Sequence, residues 1–549
     1  MRRLAKSSGD DFRIKAYAGT NGVLLAMDLD ESRRAGLLGF AIQKKEGTKQ
    51  PLWLLNNLTF EGKAHTLPKF GATPSNLAPL QKFRWADYSI DAGTTCTYTV
   101  HPAYGDPDAP ELDDPLEVTV KTDDGEPDGH QVIFNRAVAA SQAFGRKFPE
   151  VDALLSKDKQ LPIEKWPAKA RDWLHNGLLD RILKMIARAK DASWALDVAI
   201  YEYELSSIVD AINAAHKRGV NVRVLYHAKA GDEQTGENVH SLKKLPKASK
   251  RARVTTKIFH NKFIVLSKVG ASGARTPVSV LCGSTNFTEN GVYRQANVVH
   301  ISDDKALASS YAAIFEVIWN DPDDVGTAKK WITTNNVLDD SVPLFAGFSP
   351  RSKRTDLDAF IDIIKGARQD LLFATAFALP DDILDALIGP PNDPILRFGI
   401  QNTASRITGY HADRTAEFTT PALLTKGLEG WVKEGLRGQS GNLLIHTKAI
   451  VADFTSDDPV VLSGSHNLSG SASSGNDENY LIMRGDTDLA DRYGIEVLRF
   501  YEHYRFRYYA RLLRLKQAKP LAPDNAWTKP YYTKHDLKHT SRLRFAGRT

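Results

Sequence analysis

Short apolar and β-branched runs between turn residues fill the chain up to about Lys121. Residues 12–17, 22–27, 38–43, 82–87, 95–100 and 116–121 each read as a strand, and their spacing predicts a β-sandwich over residues 1–130. The stretch 106–128, acidic and bearing Pro and Gly, reads as a loop, and 131–167 as a helical connector. The pattern then changes. Apolar positions at helical spacing over 173–186 open a first α/β region, residues 168–350. It continues with a strand (194–200), a helix (204–218), a strand (220–226) and a strand that begins near His260. Residues 351–549 repeat this order: helix 355–368, strand 371–377, helix 380–387, strand 395–400 and a strand containing His446. That recurrence predicts an internal duplication, with two mixed sheets covered by helices. Tyr, Phe and Arg at helical spacing over 489–516 predict a final helix. A basic tail with Trp527, Tyr531, Tyr532, Arg542, Arg544 and Arg548 follows it.

Both regions contain the same cluster of chemistry. In the second, Leu443-Leu-Ile-His446-Thr-Lys448-Ala-Ile-Val-Ala-Asp453 reads as a buried strand, on which His446 and Lys448 point the same way. A returning strand then delivers Ser465 and Asn467. In the first, His260-Asn-Lys262 precedes an apolar run, and Ser284-Thr-Asn286 ends the next one. The His-to-Asn separations are 286 − 260 = 26 and 467 − 446 = 21, the difference being a longer hairpin turn. An imidazole, an ammonium, a hydroxyl and an amide gathered twice make a phosphate site. At this point the chain resembles the phospholipase D superfamily, whose doubled His-x-Lys-(x4)-Asp motif builds one active site between two related halves. The stretch Ala92-Gly-Thr-Thr-Cys-Thr-Tyr98-Thr-Val is similar to the late-strand region of fibronectin type III domains.

Lysines and amides suit the neutralisation of phosphoryl oxygens, and an imidazole near pH 7 serves as base, acid or nucleophile. The resemblance implies a phosphohistidine route, in which one imidazole attacks phosphorus and the other protonates the leaving oxygen. His260, Lys262, Asn286, His446, Lys448, Asn467 and Glu478 are the expected catalytic set. Ser284, Ser465, Gln295 and Asp453 are expected to support it, with Gln295 as the first-half counterpart of Glu478. The resemblance favours His260 as nucleophile, while Glu478 is a carboxylate able to orient His446 instead. Ser267 stands where Asp453 has its counterpart and is expected to alter local support only. His175, His216 and His227 are expected to be structural. No carboxylate cluster accompanies the lysines, so neither metal nor cofactor is expected.

Composition narrows the setting. Two cysteines, Cys96 and Cys282, make neither a disulfide framework nor a four-ligand zinc site. The first residues lack the apolar core of a signal peptide, and no apolar run approaches the roughly 20 residues of a membrane span. A soluble, cytoplasmic protein is expected. Net charge is only +6. A basic stretch, Lys243, Lys244, Lys247, Lys250, Arg251 and Arg253, leads into the His260 strand, and with the basic tail it points to a polyanion. Three functions fit these residues. The first is a metal-independent nuclease acting on DNA or RNA; the second is a phospholipase D acting on membrane phospholipids. The third is a catalytically weak adaptor that binds nucleic acid.

Overall fold

The computed structural model describes residues 1–549 apart from 126–128, 138–140, 159, 391–392, 403–408, 411–415, 420–443, 513–518 and 549. Leu443, at the head of the second motif, and 513–516, at the expected end of the last helix, therefore lie outside the described residues.

The N-terminal runs form two antiparallel sheets. Arg2–Lys6, Phe12–Ala18, Val23–Leu29 and Arg84–Asp87 make one, in that order. Thr95–Asp106 lies in the other, between Gly39–Glu46 and the strands Ala109–Leu112 and Leu116–Lys121. Along Thr95–Asp106, Cys96, Tyr98 and Val100 are buried while Thr97 and Thr99 are not, the alternation of a strand with one face inward. Both sheets contribute to one core containing Phe12, Ile14, Leu25, Phe40, Ile42 and Tyr98.

Two larger sheets follow with one strand order. The first runs His130–Phe134, Val298–Ser302, Arg275–Gly283, Lys262–Val269, Trp194–Ile200, Asn221–His227, Lys250–Arg253. The second runs Leu344–Ser349, Glu478–Arg484, Val460–Gly464, Ala449–Ala452, Asp370–Thr375, Leu396–Gln401, Ala416–Thr419, with Gly409–Tyr410 added outside. Position by position the two agree through seven strands. In each, the strand after the His-Lys motif is central and pairs antiparallel with its neighbours. Lys305–Asn320 and Thr487–Leu512 follow the matching strands Val298–Ser302 and Glu478–Arg484. Their apolar residues, Tyr311, Phe315, Tyr493 and Tyr501 among them, join both sheets and part of the N-terminal sheets in one core.

Besides the strand Ala109–Leu112, which interrupts the acidic stretch read as a loop, four expectations change here. The connector does not begin as a helix: His130–Phe134 is an edge strand paired with Val298–Ser302, because Val132, Ile133 and Phe134 are apolar and find a buried sheet face. Helices Gln142–Lys147 and Pro149–Lys157 come after it. The helix read over 173–186 is two, Ala168–His175 and Leu178–Ala187, broken where Asn176 and Gly177 take positive φ. Asn176 is held there by donating to Phe134 O at 2.9 Å and Asn21 Oδ1 at 2.7 Å. His260, His446 and Lys448 lie before the strands Lys262–Val269 and Ala449–Ala452, so strand alternation is not what aligns them.

The fourth concerns the basic tail. Its aromatics pack on the N-terminal sheets, with Tyr531 4.9 Å from the Phe83 ring and Trp527 Nε1 donating to Leu37 O at 2.9 Å. Arg542 and Arg548 both pair with Asp28, and Arg544 donates to Gln369 O and Pro394 O. These arginines are engaged by the protein's own carboxylates and carbonyls.

Candidate active site

Each histidine sits on a short irregular segment that is pinned to the opposite half. His260 N donates to Asp477 O at 2.9 Å, and His446 N donates to Ala296 O at 3.1 Å. Matching single bridges, Phe259 to Asp477 and Ala296 to Ile445, stitch the halves together on either side. The backbone is thus arranged with approximate twofold symmetry about the site.

The side chains cross in the same way. His260 Nδ1 bonds Glu478 Oε2 at 2.6 Å, and His446 Nδ1 bonds Asn297 Oδ1 at 2.8 Å. Glu478 is fixed by Ser465 Oγ, which donates to Oε2 at 2.6 Å, and by Asn476 Nδ2, which donates to Oε1 at 3.0 Å. Asn297 is fixed by Ser284 Oγ, which donates to Oδ1 at 2.8 Å, while its Nδ2 donates to Gly291 O at 2.9 Å. Because Glu478 Oε2 and Asn297 Oδ1 only accept in these bonds, Nδ1 is the protonated nitrogen of each neutral ring and Nε2 carries the lone pair.

These contacts correct two expectations. Glu478 orients His260, not His446. The first-half counterpart of Glu478 is Asn297, not Gln295, whose backbone carbonyl accepts from Asn135 Nδ2 at 2.8 Å. The chain carried the signal: 297 − 284 = 13 and 478 − 465 = 13, the same step from each motif serine.

Around the rings the site is deep and charged. His260, His446, Lys262 and Lys448 are buried, at 5%, 3%, 1% and 2% exposure. Lys262 Nζ donates to His260 O at 2.8 Å and lies 5.1 Å from the Tyr201 ring centre. Lys448 Nζ has no hydrogen-bond partner among the described residues, which leaves its donors open to a bound group. Burial lowers Lys262 to about 7, against the pull of Glu478 and Glu202, and pushes Lys448 well below its ordinary value. Burial, with Lys262 and Lys448 close by, also holds both histidines well below theirs, so the rings are neutral in the empty site. An entering phosphate anion reverses that field and favours the protonated forms.

Asn286 and Asn467 are the remaining motif amides, and the Oδ1 atom of each is buried with no hydrogen-bond partner among the described residues. Asn286 Nδ2 donates to Glu202 Oε2, a carboxylate that the sequence reading overlooked. Asp453 is remote: its Oδ1 accepts from the Arg368 and Gln369 amides at 2.7 and 2.6 Å. Ser267 is buried in a strand whose pairing shifts register between Leu266 and Ser267. His227, expected to be structural, accepts from Phe259 N at 3.1 Å and bonds Asp232 at 2.8 Å, propping the segment that carries His260.

The basic stretch divides. Lys243, Lys244 and Lys247 are exposed. Lys250 donates to Leu242 O at 2.6 Å, and the Arg251 guanidinium lies 4.6 Å from the Trp319 ring centre and donates to Trp319 O. Arg253 is removed from any substrate: it is fully buried and paired with buried Asp477 at 3.0 Å.

With this geometry in view, residues 182–319 match the family model described as "Cardiolipin synthase, PLD-like domain". That segment is phospholipase D-like and contains the His260 motif. A curated relative, the mitochondrial cardiolipin hydrolase of Xenopus tropicalis, is 25% identical over 147 residues, which are 26% of this chain and 61% of that protein. Among solved structures, the phosphatidylserine synthase of Haemophilus influenzae Rd KW20 is 12% identical, with a TM-score of 0.42 over 68% of this chain and 93% of that one. Nuc from Salmonella typhimurium, a phospholipase D family member, is 24% identical, with a TM-score of 0.21 over 26% of this chain and 86% of that one. Such TM-scores leave the chemistry to rest on the residues themselves.

Proposed function

We propose that this protein is a metal-independent phosphodiesterase whose single active site is shared by its two halves. The observation that carries the reading is the crossed pair of contacts, His260 to Glu478 and His446 to Asn297, which leaves two Nε2 atoms beside two buried lysines. His260 is the nucleophile. Its Nε2 attacks phosphorus, an N–P bond forms, and the P–O bond to the leaving group breaks as His446 donates its Nε2 proton to that oxygen. The phosphorylated ring keeps its Nδ1 proton and a positive charge, which the Glu478 carboxylate stabilises. His446, now neutral, takes a proton from water as the water oxygen attacks phosphorus and the N–P bond breaks. An amide partner suits this second role, because it orients His446 without holding its proton as a carboxylate does.

Nucleic acid is the substrate class favoured here, supported by Lys243, Lys244 and Lys247, exposed on the segment that leads toward His260. Phospholipid is the second reading. It is supported by the curated relative, a cardiolipin hydrolase, and by the exposed leucines Leu52, Leu55, Leu67 and Leu77 of the N-terminal region. The N-terminal sheets, read as a fibronectin type III-like sandwich, serve as a packing and positioning module in either case, supported by the core they share with both halves. The test incubates the protein in EDTA with plasmid, single-stranded DNA and RNA, and in parallel with vesicles containing cardiolipin, phosphatidylcholine or phosphatidylethanolamine. Cleavage of nucleic acid that disappears in His446→Asn supports the first reading. Lipid hydrolysis without nicking selects the second, and binding with no turnover of any phosphodiester selects the adaptor.

A further inference from the structure

In strand register the two halves differ in chemistry at one further position beside the site. Ala199 pairs with Phe263, and Ala374 pairs with Ala449; Phe263 and Ala449 each follow the motif lysine. Three residues on, 199 + 3 = 202 and 374 + 3 = 377, so Glu202 and Phe377 are counterparts. Phe377 is 42% exposed and meets the His446 ring edge-to-face at 6.5 Å. Glu202 is half-buried, accepts from Asn286 Nδ2, and accepts from Gln234 Nε2 at 3.4 Å. Its own carbonyl accepts from Phe287 N at 3.0 Å, so the backbone beside it is fixed to the segment carrying Asn286.

A carboxylate is an unexpected occupant of an anion cradle. It adds a second carboxyl group, beside Glu478, to a cradle that holds the amines of Lys262 and Lys448. Glu478 is engaged with His260, Ser465 and Asn476, whereas Glu202 holds an amide that a phosphate oxygen would otherwise take. Coulomb repulsion is proportional to ligand charge, so a carboxylate at this place penalises a dianion twice as much as a monoanion.

We propose that Glu202 is a specificity-determining residue that admits singly charged phosphodiesters and rejects doubly charged phosphomonoesters, by competing for Asn286 at the rim of the cradle. A phosphodiesterase needs such a filter, because one of its products is a phosphomonoester whose second charge would otherwise hold it in the site. This inference rests on the phosphodiesterase reading above.

The test is equilibrium binding of dimethyl phosphate (a monoanion) and inorganic phosphate (mostly a dianion at pH 8), by calorimetry, to wild type, Glu202→Gln and Lys448→Met. Gln is isosteric, and thermal unfolding alongside checks that the variant is folded. The expected gain in Glu202→Gln is about tenfold for dimethyl phosphate and about a hundredfold for phosphate, one decade per ligand charge. The converse variant, Phe377→Glu, at an exposed position, is expected to weaken phosphate more than dimethyl phosphate. Equal changes for both ligands, or none, in these two variants overturn the role of Glu202. If instead neither ligand binds any variant, or Lys448→Met binds both as wild type does, the site reading itself fails.

Discussion

His260 and His446 occupy equivalent places in a duplicated scaffold, and their side-chain hydrogen-bond partners make them different. One ring leans on a carboxylate and the other on an amide, each presented by the opposite half at the same step beyond a motif serine. The surrounding hydroxyls, Ser465 and Ser284, make the same contact in both. A repeated fold gives two identical imidazoles, whereas a covalent displacement needs two unlike ones. Under the proposed mechanism, the exchange of Glu478 for Asn297 is the difference that divides the work.

The largest effect sharpens that division. His260→Asn and His446→Asn are each expected to lower hydrolysis by about 10⁵-fold, and they should differ in the adduct they form. With bis(4-nitrophenyl) phosphate, whose leaving group needs no proton, His446→Asn should accumulate a phosphorylated protein visible by intact mass, and His260→Asn should not. An adduct in the second variant alone would reverse the assignment. Glu478→Gln makes the first half resemble the second; a drop of about 10³-fold in kcat is expected. Arg253→Met strikes the support behind one half only. It leaves Asp477 buried without its counter-ion beneath His260 N, and a loss of about 3–5 kcal/mol in unfolding free energy is expected from denaturant titration. Asn297→Asp makes the second half resemble the first. A carboxylate there favours the imidazolium and raises the basicity of His446, so the protonated acid persists to higher pH. The limb of the kcat/KM profile set by that acid should move alkaline by about one unit, and an acid shift would refute the contact's role. The smallest effect concerns the basic surface of the first half. Replacing Lys243, Lys244 and Lys247 with Ser should raise KM for DNA about threefold to tenfold and flatten its salt dependence, leaving the small chromogenic substrate untouched.

The motif residues were legible because they recur: His-x-Lys followed by Ser-x-Asn appears twice, and the strand order repeats around it. Duplication made the two large sheets readable down to their central strands. What escaped was set by register and by long-range charge. Asn297 was hidden by a polar neighbour, Gln295, more similar to glutamate in size, although the spacing from Ser284 identified the right position. Glu202 carries no motif and acquires meaning only when the strand ends of the two halves are compared. Arg253 looked like its exposed neighbours because its partner, Asp477, lies 477 − 253 = 224 residues away. The tail's arginines misled in the same manner, since Asp28 lies near the other end of the chain.

The bridges at Phe259–Asp477 and Ala296–Ile445 tie the reactive groups to the seam between the halves. Any loosening of that seam by an ångström or so detaches both rings from their partners together. Under the proposed mechanism a working site therefore requires the docked halves, because each histidine and its side-chain partner come from opposite halves.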